Sequence, residues 1–292
     1  MSISRQNLTV VIVSFMSEHV IHDCIQSIPE DIKIIVIDNS NNKLFKDRIE
    51  KKYINVTCLL STKNLGMGSG NNLGIKNVRS DYALILNPDV ILEKNTIDEL
   101  IVSSKEINEF AIISPISSDK KYPNYKTFNK ADISIKKPFK VKSIDGFAML
   151  LNLKKLKNIN NFYFFDENFF LYLENDDLCK RVIGLREDIY IIPTSKINHL
   201  GGKAVNTLHK TEIELSRNWH WIWSKFYFNK KHYGYIFAAL NGLPSFISAV
   251  IKFIFYSILN IQNKKKIYLY RCKGFLNALM GRKSSYRPKI NL

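Results

Sequence analysis

The chain has 292 residues, of which 43 are Lys or Arg and 26 are Asp or Glu, for a formal net charge of +17. With 46% hydrophobic and 24% charged residues it has the composition of a folded enzyme, which excludes a disordered tail protein or a collagen-like chain. The charge is lopsided. From Lys203 onward there are 16 Lys and Arg against only Glu212 and Glu214, which leaves residues 1–202 at +3. A near-neutral body joined to a basic end points to an anionic surface met by one end of the molecule, either membrane lipid or nucleic acid.

Cys24, Cys58, Cys179 and Cys272 lie far apart with no C-x-x-C pair, so neither a zinc ribbon nor a disulfide framework is indicated. They read as reduced thiols of a cytosolic compartment. The first apolar run, residues 8–15, is too short for a signal-peptide core with a cleavage site, so the body is expected to stay in the cytoplasm.

In chain order, residues 8–13 and 32–37 are β-branched runs of strand length, with a helix-compatible stretch at 20–27 between them. This is a βαβ unit and predicts a parallel sheet. Residues 56–60 and 82–86 supply two further strands, and the economical reading is a doubly wound α/β sheet. Between them, the Gly/Asn-rich segment 64–74 lacks both G-x-G-x-x-G spacing and a Walker Lys-Ser/Thr pair. It predicts a loop, followed by a helix start, where backbone comes close to a nucleotide or a neighbouring strand.

Ligands of such sheets sit beyond the carboxyl ends of the strands. Those positions here carry Ser14, Asp38-Asn39-Ser40 and Asn87-Pro88-Asp89. Any one of these is an ordinary turn former; three at one edge indicate a site. Further on, Asp145-Gly146 heads another apolar strand, and an aromatic stretch at 164–173 runs into Glu174, Asp176 and Asp177. Crowded carboxylates beside apolar side chains resist ionisation, so at least one is expected to have the raised pKa of a general base. The competing reading is a negatively charged first turn of a helix over 178–183, favourable to its dipole.

Residues 217–234 hold all three Trp among basic side chains, the composition of a membrane-interface belt. Residues 235–259 are apolar for long enough to span a bilayer but contain Asn241, Gly242, Pro244 and Lys252. They predict a broken, partly inserted helix pair rather than a clean span. Lys264, Lys265, Lys266, Arg271, Lys273, Arg282 and Lys283 would then meet anionic headgroups, each contributing about 1 kcal/mol near the surface.

Taken in order, residues 10–15, Asp38-Asn39-Ser40, Asn64-x-Gly66, Asn87-Pro88-Asp89, Asp145-Gly146, Phe165-Asp166-Glu167, the run from Glu174 to Arg181 and His199-x-Gly201-Gly202 resemble family 2 glycosyltransferases, in particular a rhamnosyltransferase-like branch acting on cell-surface polysaccharides. The resemblance covers residues 8 to about 235. It implies a GT-A fold, a Rossmann-like nucleotide-sugar-binding sheet; together with the basic, apolar end read above, the expected division is a catalytic domain at 1–216 and a basic, membrane-associated helical region at 217–292. It also implies a nucleotide-sugar donor, a divalent metal (Mn²⁺ or Mg²⁺) and inversion at the anomeric carbon.

Carried over by position, Asp38 stands where the family contacts the donor base or ribose, with Ser14, Asn64 and Gly66 near it. Asn87-Pro88-Asp89 replaces the family's D-x-D, so Asp89 binds metal while Asn87 departs from the first acid. His199 matches a second metal ligand, and Asp145 with Gly146 stands by the donor sugar or acceptor. The family's base falls on the second acid of an E-D pair, which here is Asn175. Glu174 is therefore the expected base, with Asp176 and Asp177 as rivals.

The resulting expectation is an inverting, metal-dependent hexosyltransferase. L-rhamnose from dTDP-rhamnose is the first donor and UDP-sugars are next. The acceptor is a cell-surface glycan or a polyprenyl-diphosphate-linked saccharide at the cytoplasmic face of a bacterial inner membrane. A nucleotidyltransferase shares strand-end acids and metal. A basic nucleic-acid-binding protein would leave the strand-end Asp/Asn set unexplained, and no nucleic-acid motif is present.

Overall fold

The computed structural model describes residues 3–107, 109–119, 121, 123–129, 133–134, 136–201, 204, 209–288 and 290. Gly202 of the His-x-Gly-Gly motif and Lys203 at the start of the basic end lie outside the described residues. The chain divides into two units. One comprises residues 1–65, 69–166 and 175–204, and the other 66–68, 167–174 and 205–292.

The first unit opens with β1 (Leu8–Ser14), whose seven residues are all buried. Next come α1 (Glu18–Gln26), β2 (Lys33–Asp38), α2 (Lys43–Lys52) and β3 (Val56–Leu60). These are followed by α3 (Gly66–Asn77), β4 (Tyr82–Leu86), β5 (Val90–Leu92), α4 (Thr96–Ser104) and β6 (Ile112–Ser117). Then follow β7 (Tyr125–Thr127), β8 (Phe139–Ile144), β9 (Ala148–Asn152), α5 (Leu153–Lys157), α6 (Glu174–Gly184) and β10 (Ile189–His199).

The strands form one ten-stranded sheet in the order β3-β2-β1-β4-β9-β6-β10-β8-β7, with β5 paired to β10. The parallel sheet expected from the first βαβ unit holds through β3, β2, β1 and β4. It ends there, because β9 pairs antiparallel with both β4 and β6. The sheet is therefore mixed rather than doubly wound and all-parallel. Its apolar strands are buried on both faces, one against a cluster containing Val10, Ile12, Ile21 and Leu84, the other against Val11, Ile85, Met149 and Leu178.

Most of the Gly/Asn-rich segment expected as a loop is helix α3 itself. Its glycines serve the close approach foreseen to a neighbouring strand: a Cβ on Gly74 would lie 2.3 Å from Val11 Cγ1, and one on Gly70 would lie 2.8 Å from Val13 Cγ1. Without side chains at these turns, α3 lies directly on β1.

The second unit is helical, with α7 (Lys210–Tyr233), α8 (Tyr235–Ile258) and α9 (Gln262–Leu279). Its core joins Trp219, Ile222, Trp223 and Phe226 of α7 to Ala238, Phe275 and Ala278. Two of the three tryptophans are thus buried core residues, and Trp223 Nε1 donates to Arg282 O at 3.1 Å. The membrane-interface belt expected at 217–234 thus loses two of its tryptophans to the core, while Trp221 and Tyr233 are exposed. Residue 216, the expected domain boundary, falls inside α7. The expected break in 235–259 is also absent. Pro244 lies inside one continuous helix, whose packing along α9 outweighs the single hydrogen bond that proline forfeits.

Candidate active site

The carboxyl ends of β1, β2 and β4 lie at one edge of the sheet because these strands are parallel and in register, Ser14 opposite Asp38 and Ile12 opposite Leu86. Asp38 is buried and engaged by the turn that follows it. Oδ1 accepts from Ser40 Oγ at 2.6 Å and Ser40 N at 3.2 Å, and Oδ2 accepts from Asn42 N at 2.8 Å. Asn39 N donates to Ser14 O at 2.8 Å, while Asn39 Oδ1 accepts from Ser61 Oγ at 3.1 Å and Leu65 N at 3.4 Å. That last bond brings the residue after Asn64 to the same edge. Gly66 has φ +80°, and a Cβ there would lie 2.2 Å from Phe170 O, which itself accepts from Met67 N at 2.9 Å. The close crossing of those two chain segments is why glycine stands there.

The turn Asn87-Pro88-Asp89 links β4 to β5. Asn87 N donates to Phe147 O at 2.9 Å, which ties the turn to the segment after Asp145-Gly146. The antiparallel register of β5 on β10 sets His199 opposite Val90, and Leu200 N donates to Asp89 O at 3.0 Å. In consequence His199 Nε2 lies 3.5 Å from Asp89 Oδ1. The Phe147 ring stacks on the imidazole at a centroid distance of 4.1 Å and 24° between planes, which fixes the ring orientation.

Asp89 is 2% exposed, and its Oδ1 accepts no hydrogen bond among the described residues; the same holds for Asn87 Oδ1, Ser14 Oγ and Asn71 Oδ1. Buried polar atoms are rarely left so, because the missing partner costs on the order of 1–3 kcal/mol each. A buried carboxylate oxygen beside an imidazole nitrogen is a donor set that a divalent cation satisfies. No group of three or more His, Cys, Asp or Glu gathers among the described residues. Asp89 and His199 thus come together as a pair of potential ligands rather than as part of a larger cluster of such side chains among the described residues.

The carboxylate run occupies the first turn of α6. Asp177 is fully buried and pairs with Arg181 Nε at 2.8 Å. Arg181 also donates to Tyr163 O at 2.7 Å and to Phe164 O, so this pair fastens the aromatic stretch to the helix. Asp176 Oδ1 accepts from Lys126 Nζ and from Ser143 Oγ, both at 2.8 Å. Asn175 Nδ2 donates to Ile144 O at 2.8 Å, and a Cβ on Gly146 would come within 3.2 Å of Asn175 Cβ. An amide at 175 and a glycine at 146 are thus explained by packing as well. Glu174, the first residue of α6, is 8% exposed and follows Tyr172 and Leu173, whose φ values of +71° and +66° are left-handed. Two consecutive non-glycine residues in that region carry backbone strain of order 1–3 kcal/mol each.

The carboxyl of Asp145 has a raised pKa. Burial raises it first, the neighbouring Asp176 charge adds to this, and Lys126 and His199 pull the other way. Its side chain still reaches solvent. Burial and the charges of Asp176 and Asp145 push the Cys179 thiol up to about 12, and burial with Asp38 puts Cys58 at about 12, so neither is a nucleophile.

Sequence reasoning missed Phe147, Lys126, Ser143 and Asn71. Phe147 follows Asp145-Gly146 directly and could have been read with that motif. Lys126, Ser143 and Asn71 carry no local signal, because their partners are set by tertiary folding.

The profile described as Glycosyl transferase family 2 matches residues 9–190. Among characterised proteins, the low-salt glycan biosynthesis hexosyltransferase Agl10 of Haloferax volcanii is 27% identical over 229 residues, covering 72% of this chain and 69% of that protein. Rhamnosyltransferase WbbL of Escherichia coli K12 is 24% identical over 221 residues, covering 65% of this chain and 82% of WbbL. Mannosyltransferase PcManGT from Pyrobaculum calidifontis, solved with GDP-Man and Mn²⁺, superposes with a TM-score of 0.57 at 10% identity, over 96% of this chain and 89% of that one. The last likeness concerns the fold, a GT-A sheet followed by a helical C-terminal region. The profile match takes in well over half the chain and all of the site except the end of β10, and on it the chain belongs to glycosyl transferase family 2.

Proposed function

We propose that this family 2 glycosyltransferase is an inverting hexosyltransferase that moves L-rhamnose from dTDP-rhamnose to a cell-surface glycan or polyprenyl-diphosphate-linked saccharide, at the cytoplasmic face of a bacterial plasma membrane. Transfer from a UDP-sugar is the competing donor reading. Donor chemistry is assigned to residues 1–216 and attachment to an anionic membrane surface to residues 217–292.

The observation that carries the reading is the buried Asp89 Oδ1, which accepts no hydrogen bond among the described residues and lies 3.5 Å from His199 Nε2 at the edge where the strand-end residues converge. Asp89 and His199 would hold Mn²⁺ or Mg²⁺. When bound, that ion supplies positive charge against the departing nucleoside diphosphate. Phe147 keeps the imidazole plane in place. Ser14, Asn71 and Asn87 offer buried polar atoms to the donor, and Asp38 shapes the turn that receives the base or ribose. Asp145 contacts the donor sugar or the acceptor.

The acceptor hydroxyl gives its proton to a carboxylate as its oxygen bonds the anomeric carbon and the bond to the diphosphate breaks. Glu174 is the base in this scheme, at the position beside Asn175 that the family resemblance favours, with Asp176, held by Lys126 and Ser143, and Asp177, paired with Arg181, as its rivals.

A panel of nucleotide sugars tests the proposal by thermal shift and by released nucleotide. dTDP-rhamnose should stabilise the protein and yield dTDP, with activity abolished by EDTA and restored by Mn²⁺. Asp89→Ala and His199→Ala should keep the fold and lose transfer. Response to UDP-sugars alone would overturn the rhamnosyl assignment, release of pyrophosphate would overturn glycosyl transfer, and full activity after chelation would overturn the metal role.

A further inference from the structure

Helix α8 presents two opposite faces. Ala238, Gly242, Phe246, Ala249 and Tyr256 recur on one of them. A Cβ on Gly242 would lie 2.5 Å from Phe275 Cε2, Phe246 stacks on Phe275 at 4.8 Å, and Tyr256 stacks on Tyr268 of α9 at 5.5 Å. Tyr235 OH donates to Leu279 O at 2.9 Å. These contacts run from one end of α8 to the other, so α8 and α9 form an antiparallel hairpin in contact along its length.

On the opposite face stand Ile236, Leu240, Leu243, Ile247, Ile251 and Ile254, and the stripe ends at Ile258; each is between 45% and 78% exposed. The spacing of three and four residues places them in one row about 33 Å long at 1.5 Å per residue. Only 11% of the most apolar 18-residue window of α8 is buried, so this is not the core helix of a soluble domain.

By length and composition α8 could cross a bilayer. Its partner forbids it. Packed on α8 from Tyr235 to Tyr256, α9 carries Arg271 and Lys273 along its middle, which a spanning hairpin would draw into hydrocarbon, and Lys264, Lys265 and Lys266 in its first turn. Residues 235–292 contain no Asp or Glu to pair with them. Lys252, the one charge within α8, is held toward α9 with its Nζ 5.4 Å from the Tyr268 ring centroid, away from the stripe. An apolar row on one side of a hairpin and cations without acids on the other is the pattern of an interfacial element on anionic lipid.

We infer that α8 lies in the plane of an anionic membrane surface, with the Ile236–Ile258 row sunk among the acyl chains and the cations of α9 at the headgroups, and that it does not span the bilayer. This deepens, and rests on, the membrane attachment proposed above.

The test uses the full chain with vesicles of mixed phosphatidylglycerol and phosphatidylcholine, and with phosphatidylcholine alone. The protein should sediment with the anionic vesicles and at least tenfold less with the neutral ones. Ile247→Glu should lower anionic-vesicle binding at least tenfold while leaving thermal unfolding and soluble donor hydrolysis unchanged. Donor hydrolysis is the readout that separates failure of this inference from failure of the enzymatic one.

Orientation is read with Tyr233→Cys and Gln262→Cys, one beyond each end of α8, labelled by an impermeant maleimide in membrane vesicles of both polarities; the four native cysteines are buried. Labelling of both positions from the cytoplasmic side alone supports the in-plane helix. Labelling from opposite sides means a span and overturns it. Absence of vesicle binding, with a solution mass that Ile247→Glu halves, would assign the row to a second copy of the chain and also overturn it.

Discussion

Three neighbouring acids in the carboxylate run have different surroundings. Asp177 and Arg181 form a buried pair, and breaking such a pair from one side strands a charge, at roughly 3–5 kcal/mol. Asp177→Asn is therefore expected to lower thermal stability strongly and activity only through loss of folded protein. Glu174→Gln should leave melting near that of the parent and reduce turnover by roughly two to four powers of ten, the range for removing a general base, with donor affinity little changed. Asp176→Asn frees Lys126 and Ser143 and should fall between the two. Melting curves and turnover on all three variants check the assignment; a Glu174→Gln enzyme that turns over normally would move the base elsewhere.

At the scale of elements, the segment after α9 is secured to α7 by a buried histidine. His220 Nδ1 faces Ser284 Oγ at 3.0 Å and Nε2 faces Tyr286 O at 2.9 Å. Burial lowers its pKa to about 3, with Arg287 acting in the same direction and the Tyr286 carbonyl opposing. The folded pKa lies below the unfolded one, so the unfolded chain binds the extra proton. This contribution to stability is whole above pH 6.5 and is lost as the pH falls from there toward 3. His220→Gln should flatten that part of the stability curve, as measured by denaturant unfolding at pH 7, 6 and 5, although it lowers stability at pH 7. An unchanged slope would mean that another group carries the acid sensitivity.

For the molecule as a whole, most of the excess charge sits in one stretch of chain, with 16 Lys and Arg against two acids from Lys203 onward. Binding to anionic vesicles is expected to weaken as salt rises from 50 to 500 mM, on the order of the change that shortens the screening length severalfold, and to level off above zero. The plateau reflects the apolar row of α8, which salt does not screen. Vesicle sedimentation across that range measures both parts. Loss of all binding at high salt would leave charge alone as the attachment.

The β-branched runs of β1 to β4, with polar residues just past their ends, were readable because a strand buried on both faces must be apolar throughout and a ligand edge must be polar. The same order of motifs carried the family. Composition also placed the basic end correctly in the chain. Tertiary structure alone decided that β9 enters the sheet antiparallel, because strand direction depends on where a connection returns and not on the strand's own residues. It also decided that the Gly/Asn segment is a helix lying on β1, that two tryptophans are core, and that Pro244 interrupts nothing. In each case packing partners far away in sequence override a local preference. The pairing of Asp89 with His199, 110 positions apart in the chain, follows from the register of β5 on β10. The pairing of α8 with α9 is likewise decided by tertiary structure, since Gly242 and Phe246 meet Phe275 only because the chain turns back between the two helices.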